Sequence, residues 1–156
     1  MSIERVKAYF AAHGMDKRVL EFDTSSATVE LAALALGCEP CRIAKSLTFK
    51  LDDGAVMIVA AGDARVDNKK FKAVFAQKAK MLTPDEAVSL MGHAVGGVCP
   101  FVVKEGVKIY LDESLRRFGT VFPACGSANS AIELTIDEME MHSASLGWVD
   151  VCKDWA

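Results

Sequence analysis

The spacing of apolar residues divides the chain into short helical and strand-forming stretches. Ile3, Val6, Phe10 and Ala11 recur at helical spacing with Arg5 and Lys7 between them, so residues 2–13 read as an amphipathic helix that ends at Gly14. Residues 18–22 alternate and predict a short strand. The Ala- and Leu-rich stretch 28–36 stops at Gly37, the pattern of a helix with a glycine C-cap. Two apolar runs, 43–51 and 55–61, are joined by Asp52-Asp53-Gly54, a hairpin signal. Asp67 is suited to cap a helix through about residue 77, with Phe71, Val74 and Phe75 on its inner face. Thr83-Pro84-Asp85-Glu86 is a capping box with proline at the first helical position, and that helix runs to Met91. Further on, 107–111 reads as a strand, 112–118 as a helical turn, and 120–124 and 130–136 as two more strands. Thr135-Ile136-Asp137-Glu138 is a second capping box, opening a last helix to about His142. Helices interspersed with hairpin-linked strands predict an α/β (α+β) fold, with a mixed, mostly antiparallel sheet and helices packed around it.

One stretch breaks these periodicities. Gly92-His93-Ala94-Val95-Gly96-Gly97-Val98-Cys99-Pro100-Phe101 holds three of the 11 glycines and one of the four prolines, between apolar flanks. Glycine lets backbone approach a ligand or another strand, and proline ends any regular ladder. Adjacent Gly96 and Gly97 can turn successive N–H groups toward one concavity, a nest for an anion or oxyanion. A sharp corner between strands, with no ligand, explains the same residues equally well.

Composition narrows the picture. The 156 residues suit a single domain over 1–156 with a real core; 51% are hydrophobic and 25% charged, as in an ordinary globular protein. A net charge of -3 excludes a global electrostatic footprint for nucleic acid, so any such contact needs a local basic patch. Met1-Ser2-Ile3-Glu4-Arg5 lacks the apolar core of a signal peptide, and the apolar runs are too short to span a bilayer, so a cytoplasmic protein is expected. Cys38-Glu39-Pro40-Cys41 is a CxxC, but it follows an apparent helix C-terminus, and Cys99, Cys125 and Cys152 stand singly. Neither a zinc site nor a redox pair is therefore favoured, and no metal or cofactor is called for.

Candidate chemistry is sparse. There is no Gly-x-Ser-x-Gly elbow, no acid pair at a catalytic spacing and no metal-ligand cluster. A Cys99–His93 pair is conceivable within the glycine stretch, although a cysteine nucleophile needs a positioned base. Lys45 is more informative. Strand alternation puts Ile43, Lys45, Leu47 and Phe49 on one apolar face, where an ammonium favours a partner anion; a strand-end lysine that snorkels to water is the other reading. Lys69, Lys70 and Lys72 form a basic run at the Asp67 helix start, which fits a phosphate or a plain solvated face.

In their joint order, four features resemble the YbaK/ProX family of free-standing aminoacyl-tRNA deacylases, related to the editing insertion domain of bacterial prolyl-tRNA synthetases. They are Ala44-Lys45-Ser46-Leu47, with serine where the family usually has threonine; Ala61-Gly62-Asp63 followed by Asp67-Asn68-Lys69-Lys70; Gly96-x-x-x-Pro100 within the glycine stretch; and Cys125-Gly126-Ser127-Ala128-Asn129-Ser130 before an apolar strand. The resemblance covers nearly the whole chain. It implies a compact domain with a curved, largely antiparallel sheet, and hydrolysis of the ester joining a wrong amino acid to tRNA. Carried over by position, Lys45 would be the essential lysine, and Gly96 and Gly97 would lie in the loop that places the ester or the attacking water. The amino-acid pocket would involve Phe22, Ser46, Gly92, Val98, Pro100 and Phe101, with Ser127, Ala128 and Asn129 lining the same cavity. Arg42, Lys69 and Lys70, with Lys45, would meet the acceptor end of tRNA. The implied substrate is tRNA(Pro) carrying Ala, Cys, Ser or Thr, and the implied partners are aminoacyl-tRNA and prolyl-tRNA synthetase, with no membrane and no DNA. A non-catalytic binder of nucleic acid or of the aminoacyl group is the alternative.

Overall fold

The computed structural model describes residues 2–93 and 97–155. The chain runs α1 (Ser2–Ala12), β1 (Val19–Glu21), α2 (Val29–Leu36), β2 (Ile43–Leu51), β3 (Gly54–Ala61), β4 (Arg65–Val66), α3 (Asn68–Phe75), α4 (Pro84–Met91), β5 (Lys108–Asp112), β6 (Thr120–Pro123), β7 (Ser130–Ile132), β8 (Leu134–Thr135), α5 (Ile136–Ser143), β9 (Trp148–Val149) and β10 (Cys152–Lys153). Short 3-10 turns precede β1, β2 and β6.

Six strands form one curved sheet in the order β8-β6-β2-β3-β5-β9. The β2–β3 hairpin is its spine, paired antiparallel over eight positions from Ala44 opposite Ala61 to Leu51 opposite Gly54. Parallel pairing enters where β2 meets β6, β3 meets β5 and β5 meets β9. A hairpin signal is local and does not report these joints, because each links strands far apart in sequence. For the same reason the two-residue strands β4, β9 and β10 carry no sequence signal, and the predicted strand 130–136 divides at Glu133 into β7 and β8.

Helices cover both sheet faces. Ala55, Met57, Val59 and Ala61 of β3 join Val6 and Phe10 of α1, Ala87 and Met91 of α4, and Met139 of α5 in one core. Val56, Ile58 and Ala60 point the other way, into a core closed by Phe71 of α3 and by Val151 and Cys152. Burial on both faces explains why β3 is a continuous apolar run rather than an alternating one.

Local caps hold the helices, those at Gly37, Asp67, Thr83 and Thr135 as predicted from sequence. Thr28 accepts the Leu31 N–H, and Gly37 ends α2 in the left-handed region. Asp67 accepts from Lys69 and Lys70. Thr83–Glu86 and Thr135–Glu138 are reciprocal capping boxes.

Candidate active site

A cavity of about 350 Å³ opens beside the middle of β2. Its cause is a gap in the sheet. β6 runs alongside β2 only at Ile43 and Ala44. Farther along the same edge, the Lys50 N–H donates to Lys80 O (2.8 Å) and the Leu82 N–H donates to Thr48 O (3.1 Å). Between these contacts no described strand lies against this edge of Lys45–Leu47. The starts of α2 and α4, Val98 and Ala124 wall the resulting space.

Lys45 lies at the rim and is half-buried. Its Nζ donates to the Gly62 carbonyl at 3.3 Å. Burial pulls its pKa below the usual lysine range; Arg65 adds to that, while Cys152, Asp63 and Glu30 oppose it. Leu47 and Phe49, on the same face as Lys45, pack into the outer core.

The Gly62 turn is itself anchored. Arg117 forks onto both oxygens of Asp63, with Nη1 donating to Oδ2 at 2.9 Å, and that guanidinium holds the Asp63 carboxyl below its usual range. Arg117 in turn stacks on Phe118 and Trp155. A Cβ at Gly62 would lie 2.1 Å from Pro40 O, so only glycine lets the Pro40 turn close over the lysine's acceptor. Cys38-Glu39-Pro40-Cys41, disfavoured as a zinc or redox motif, thus has a packing role for its proline. Burial, first among the causes, raises both Cys38 and Cys41 thiol pKa values. Among the described residues no group of His, Cys, Asp or Glu is arranged to hold a metal ion.

Of the glycine stretch, Gly96 lies outside the described residues. Gly97 is buried, and a Cβ there would lie 2.6 Å from Gly126 C and Ser127 N. Backbone-to-backbone contact thus joins the glycine stretch to the 125–129 turn, and Val98 follows directly into the cavity wall. Gly92 caps α4 at φ +84° and its carbonyl accepts from Arg5. Pro100 is buried, and Phe101 packs edge-to-face on Phe10 at 4.9 Å in the core. These three, expected at the pocket, are not among the residues that line the cavity.

Residues 125–129 form a frame rather than a wall. The Asn129 Nδ2 donates to Phe22 O (2.9 Å), the Phe22 N–H donates to Asn129 O (2.8 Å), and the Ser26 N–H donates to Ala128 O (2.6 Å). Ser127 Oγ lies 2.7 Å from Ser130 Oγ, and it is Ser130 and Ala131 that line the cavity. Phe22, Ser127, Ala128 and Asn129 therefore stand behind the lining, joined to it by these bonds. Of the pocket residues expected from sequence, Lys45, Ser46 and Val98 meet at the cavity itself. Sequence reasoning missed Thr28, Val29, Thr83 and Ala87. Their helix-start signatures were visible, but nothing local says that two helix starts converge on one gap.

Cys99 and His93 do meet: Sγ lies 3.7 Å from Nε2. Both are sealed in the core, however, and Nε2 is already 2.8 Å from Phe101 O. Burial pushes the Cys99 thiol up to about 12 and the His93 imidazole down. An inaccessible thiol with so high a pKa is no nucleophile at neutral pH.

Of the cations expected on RNA, Arg42 pairs with Glu133, bonds Thr120 and lies over the Phe122 ring at 5.0 Å. Lys70 bonds Asp150 (3.0 Å) and Cys152 O (2.9 Å), fastening the C-terminal segment. Both are engaged within the protein. Lys69 is exposed, and its ammonium has no partner among the described residues. Arg65, absent from the sequence-based set, is likewise exposed and unpartnered. It lines a second hollow of about 330 Å³ that shares Lys45 and Leu47 with the first.

The fold is a single α+β domain with a small cavity that a half-buried lysine lines beside a glycine-rich stretch and a polar turn. Residues 23–141 match the aminoacyl-tRNA editing domain, and the chain belongs to that family. It is 53% identical over 156 residues to the uncharacterized protein YwhH of Bacillus subtilis (strain 168), covering 99% of each chain. It is 34% identical over 101 residues to a proline–tRNA ligase of Geobacillus sp. (strain WCH70); that match spans 64% of this chain but 18% of the ligase. A crystal structure of a candidate trans-editing enzyme for prolyl-tRNA synthetase superposes with a TM-score of 0.87 at 29% identity, covering 97% of both chains. No described helix is long and apolar enough to cross a membrane.

Proposed function

We propose that this protein is a free-standing deacylase that hydrolyses the ester of misacylated tRNA, acting in the cytoplasm on tRNA(Pro) that carries a small wrong amino acid. The observation that carries this reading is the content of the cavity: its described lining includes one charged side chain, Lys45, and no carboxylate, thiol or imidazole. Its hydroxyls (Ser26, Thr28, Ser46, Thr48, Thr83 and Ser130) have no histidine or carboxylate beside them in the described lining to activate one as a nucleophile. An aminoacyl ester is already activated, so holding it beside a cation and an attacking water suffices for much of the rate. The ribose 2′-OH of the substrate is available to assist that water. Ala27, Ala32, Ala44, Ala87, Ala124 and Ala131 line the cavity, which suits Ala, Ser, Cys or Thr as the group removed. The Lys45 ammonium then neutralises the terminal phosphate or the developing oxyanion, and the unpartnered Arg65 and Lys69 meet the backbone of the acceptor end. Prolyl-tRNA synthetase is the natural source of the misacylated substrate.

The test is hydrolysis of tRNA(Pro) charged with Ala, Cys, Ser or Thr by wild type and by Lys45→Ala. Wild type should release at least one of these amino acids and the variant should not. Binding of tRNA without turnover of any substrate would replace this reading by that of a non-catalytic module.

A further inference from the structure

The gap in the sheet leaves one residue of β2 with its backbone groups pointing into the cavity. In a strand, peptide N–H and C=O groups alternate between the two edges. The Thr48 carbonyl and Lys50 N–H point away from β3, where Leu82 and Lys80 meet them. Ala44, two positions before Ser46, faces β6 on that same edge. Ser46 stands between them, so its N–H and C=O face the edge that neither β6 nor residues 80–82 reach. No described residue hydrogen-bonds to either group. Both open onto the cavity that Ser46 and Val98 line. Unpaired backbone groups in a partly buried position are costly unless something pairs with them. In an antiparallel pair, two opposed residues exchange both bonds, and the partner must offer one donor and one acceptor separated by a single Cα.

An α-aminoacyl ester offers that set: an amino N–H, a Cα and a carbonyl oxygen. We propose that the aminoacyl group binds as a one-residue strand opposite Ser46, its amino group donating to the Ser46 carbonyl and its ester carbonyl accepting from the Ser46 N–H. This deepens the deacylase reading and rests on it for the identity of the ester. Three consequences follow from the pairing. The α-amino group needs no carboxylate, and the described cavity lining provides none. The ester carbonyl is polarised by a fixed peptide dipole, which strengthens as charge develops on oxygen. Directly opposed residues carry their side chains on one face. The substrate side chain therefore falls on the side of Ala44, Ser46 and Thr48, among the small residues of the inner wall, while the Lys45 side chain leaves β2 from the other face and meets the ester end of the substrate at the rim of the cavity.

Two variants separate the backbone from the side chain. Ser46→Ala keeps the N–H, whereas Ser46→Pro removes it at a position where no bond to a described residue is lost, a setting that edge strands tolerate. Ser46→Pro is expected to reduce kcat/KM about a hundredfold or more below Ser46→Ala, the loss typical of one oxyanion donor, with a Tm close to that of Ser46→Ala. The second measurement is direct. In wild type, the 15N–1H resonance of Ser46 should shift on titration with alaninamide, and less with propionamide, which lacks the amino group. Equal hydrolysis by the two folded variants, or an unmoved Ser46 amide, overturns the pairing. If Ser46→Pro does not fold, the amide titration alone decides. If wild type hydrolyses no misacylated tRNA but the Ser46 amide still discriminates alaninamide from propionamide, the deacylase reading fails and the pairing stands.

Discussion

Two places in this molecule hold side chains with chemical potential, and they differ in access. Cys99 and His93 carry the residue types of a nucleophile and its base and lie in contact, yet they are packed into the core between α1, α4 and the sheet. Lys45 carries neither role in the ordinary sense and stands at the mouth of a cavity. Burial acts on both sites, and its effect depends on what remains open. At Cys99 it stabilises the neutral thiol and removes the nucleophile. At Lys45 it lowers the pKa without closing the path to solvent, leaving a cation with part of its hydration stripped and one backbone acceptor. Residue type nominates a site, and access together with desolvation selects it.

The sharpest way to break this contrast is substitution at both places. Lys45→Ala should lower deacylation of misacylated tRNA(Pro) about a hundredfold or more, on the scale of losing one electrostatic stabiliser. Cys99→Ala should leave it within about twofold. Loss of activity in the cysteine variant, at unchanged Tm, would reverse the comparison.

Gly97→Ala comes next. Its methyl would meet backbone rather than a flexible side chain, so it is expected to cost about 1–3 kcal/mol of stability, and thermal melting should show a fall of several degrees. Gly106→Ala provides a contrast, since a Cβ there meets nothing within 4 Å and the cost comes from its φ of +89° alone. Only Gly97→Ala should also lower activity.

A pH profile sharpens the same point. If the ammonium is the working form, the alkaline limb of kcat/KM, corrected for spontaneous hydrolysis, lies below the 10.5 of an ordinary lysine. The smallest effect concerns His93. Its pKa is lowered from 6.5 by burial, so the unfolded chain takes up a proton that the native state refuses. Stability should therefore be full above 6.5 and decline as pH falls through that value toward the lowered one. Imidazole NMR signals should show His93 still neutral when a free histidine is half protonated.

Much of the local structure was legible in the sequence because its causes are local. Asp67, Thr83 and Thr135 cap the helices they were expected to cap, since a side-chain oxygen reaches an N–H only two or three residues away, whereas Thr28, read as the first residue of its helix, is the N-cap instead. The β2–β3 hairpin and the buried run of β3 followed from Asp52-Asp53-Gly54 and from apolar continuity. Lys45 stood out because an ammonium in an apolar strand needs an explanation. Phe101 was ambiguous for the converse reason: an aromatic beside a glycine loop fits a pocket wall and a core residue equally well, and here it is buried in the core.

The remaining features were set by distance through space. The gap in the β2 edge exists because β6 stops after Ala44 and residues 80–82 arrive only at Thr48, and no residue of β2 encodes where its neighbours end. Whether Arg42 and Lys70 are free for a ligand depended on Glu133 and Asp150, about 80–90 positions away along the chain. Sequence determined which segments become helices and strands, because propensity, capping and turn chemistry act over a few residues. Tertiary structure decided which groups share a cavity, which charges are already paired and which peptide faces open space, because those follow from packing between segments remote in the chain.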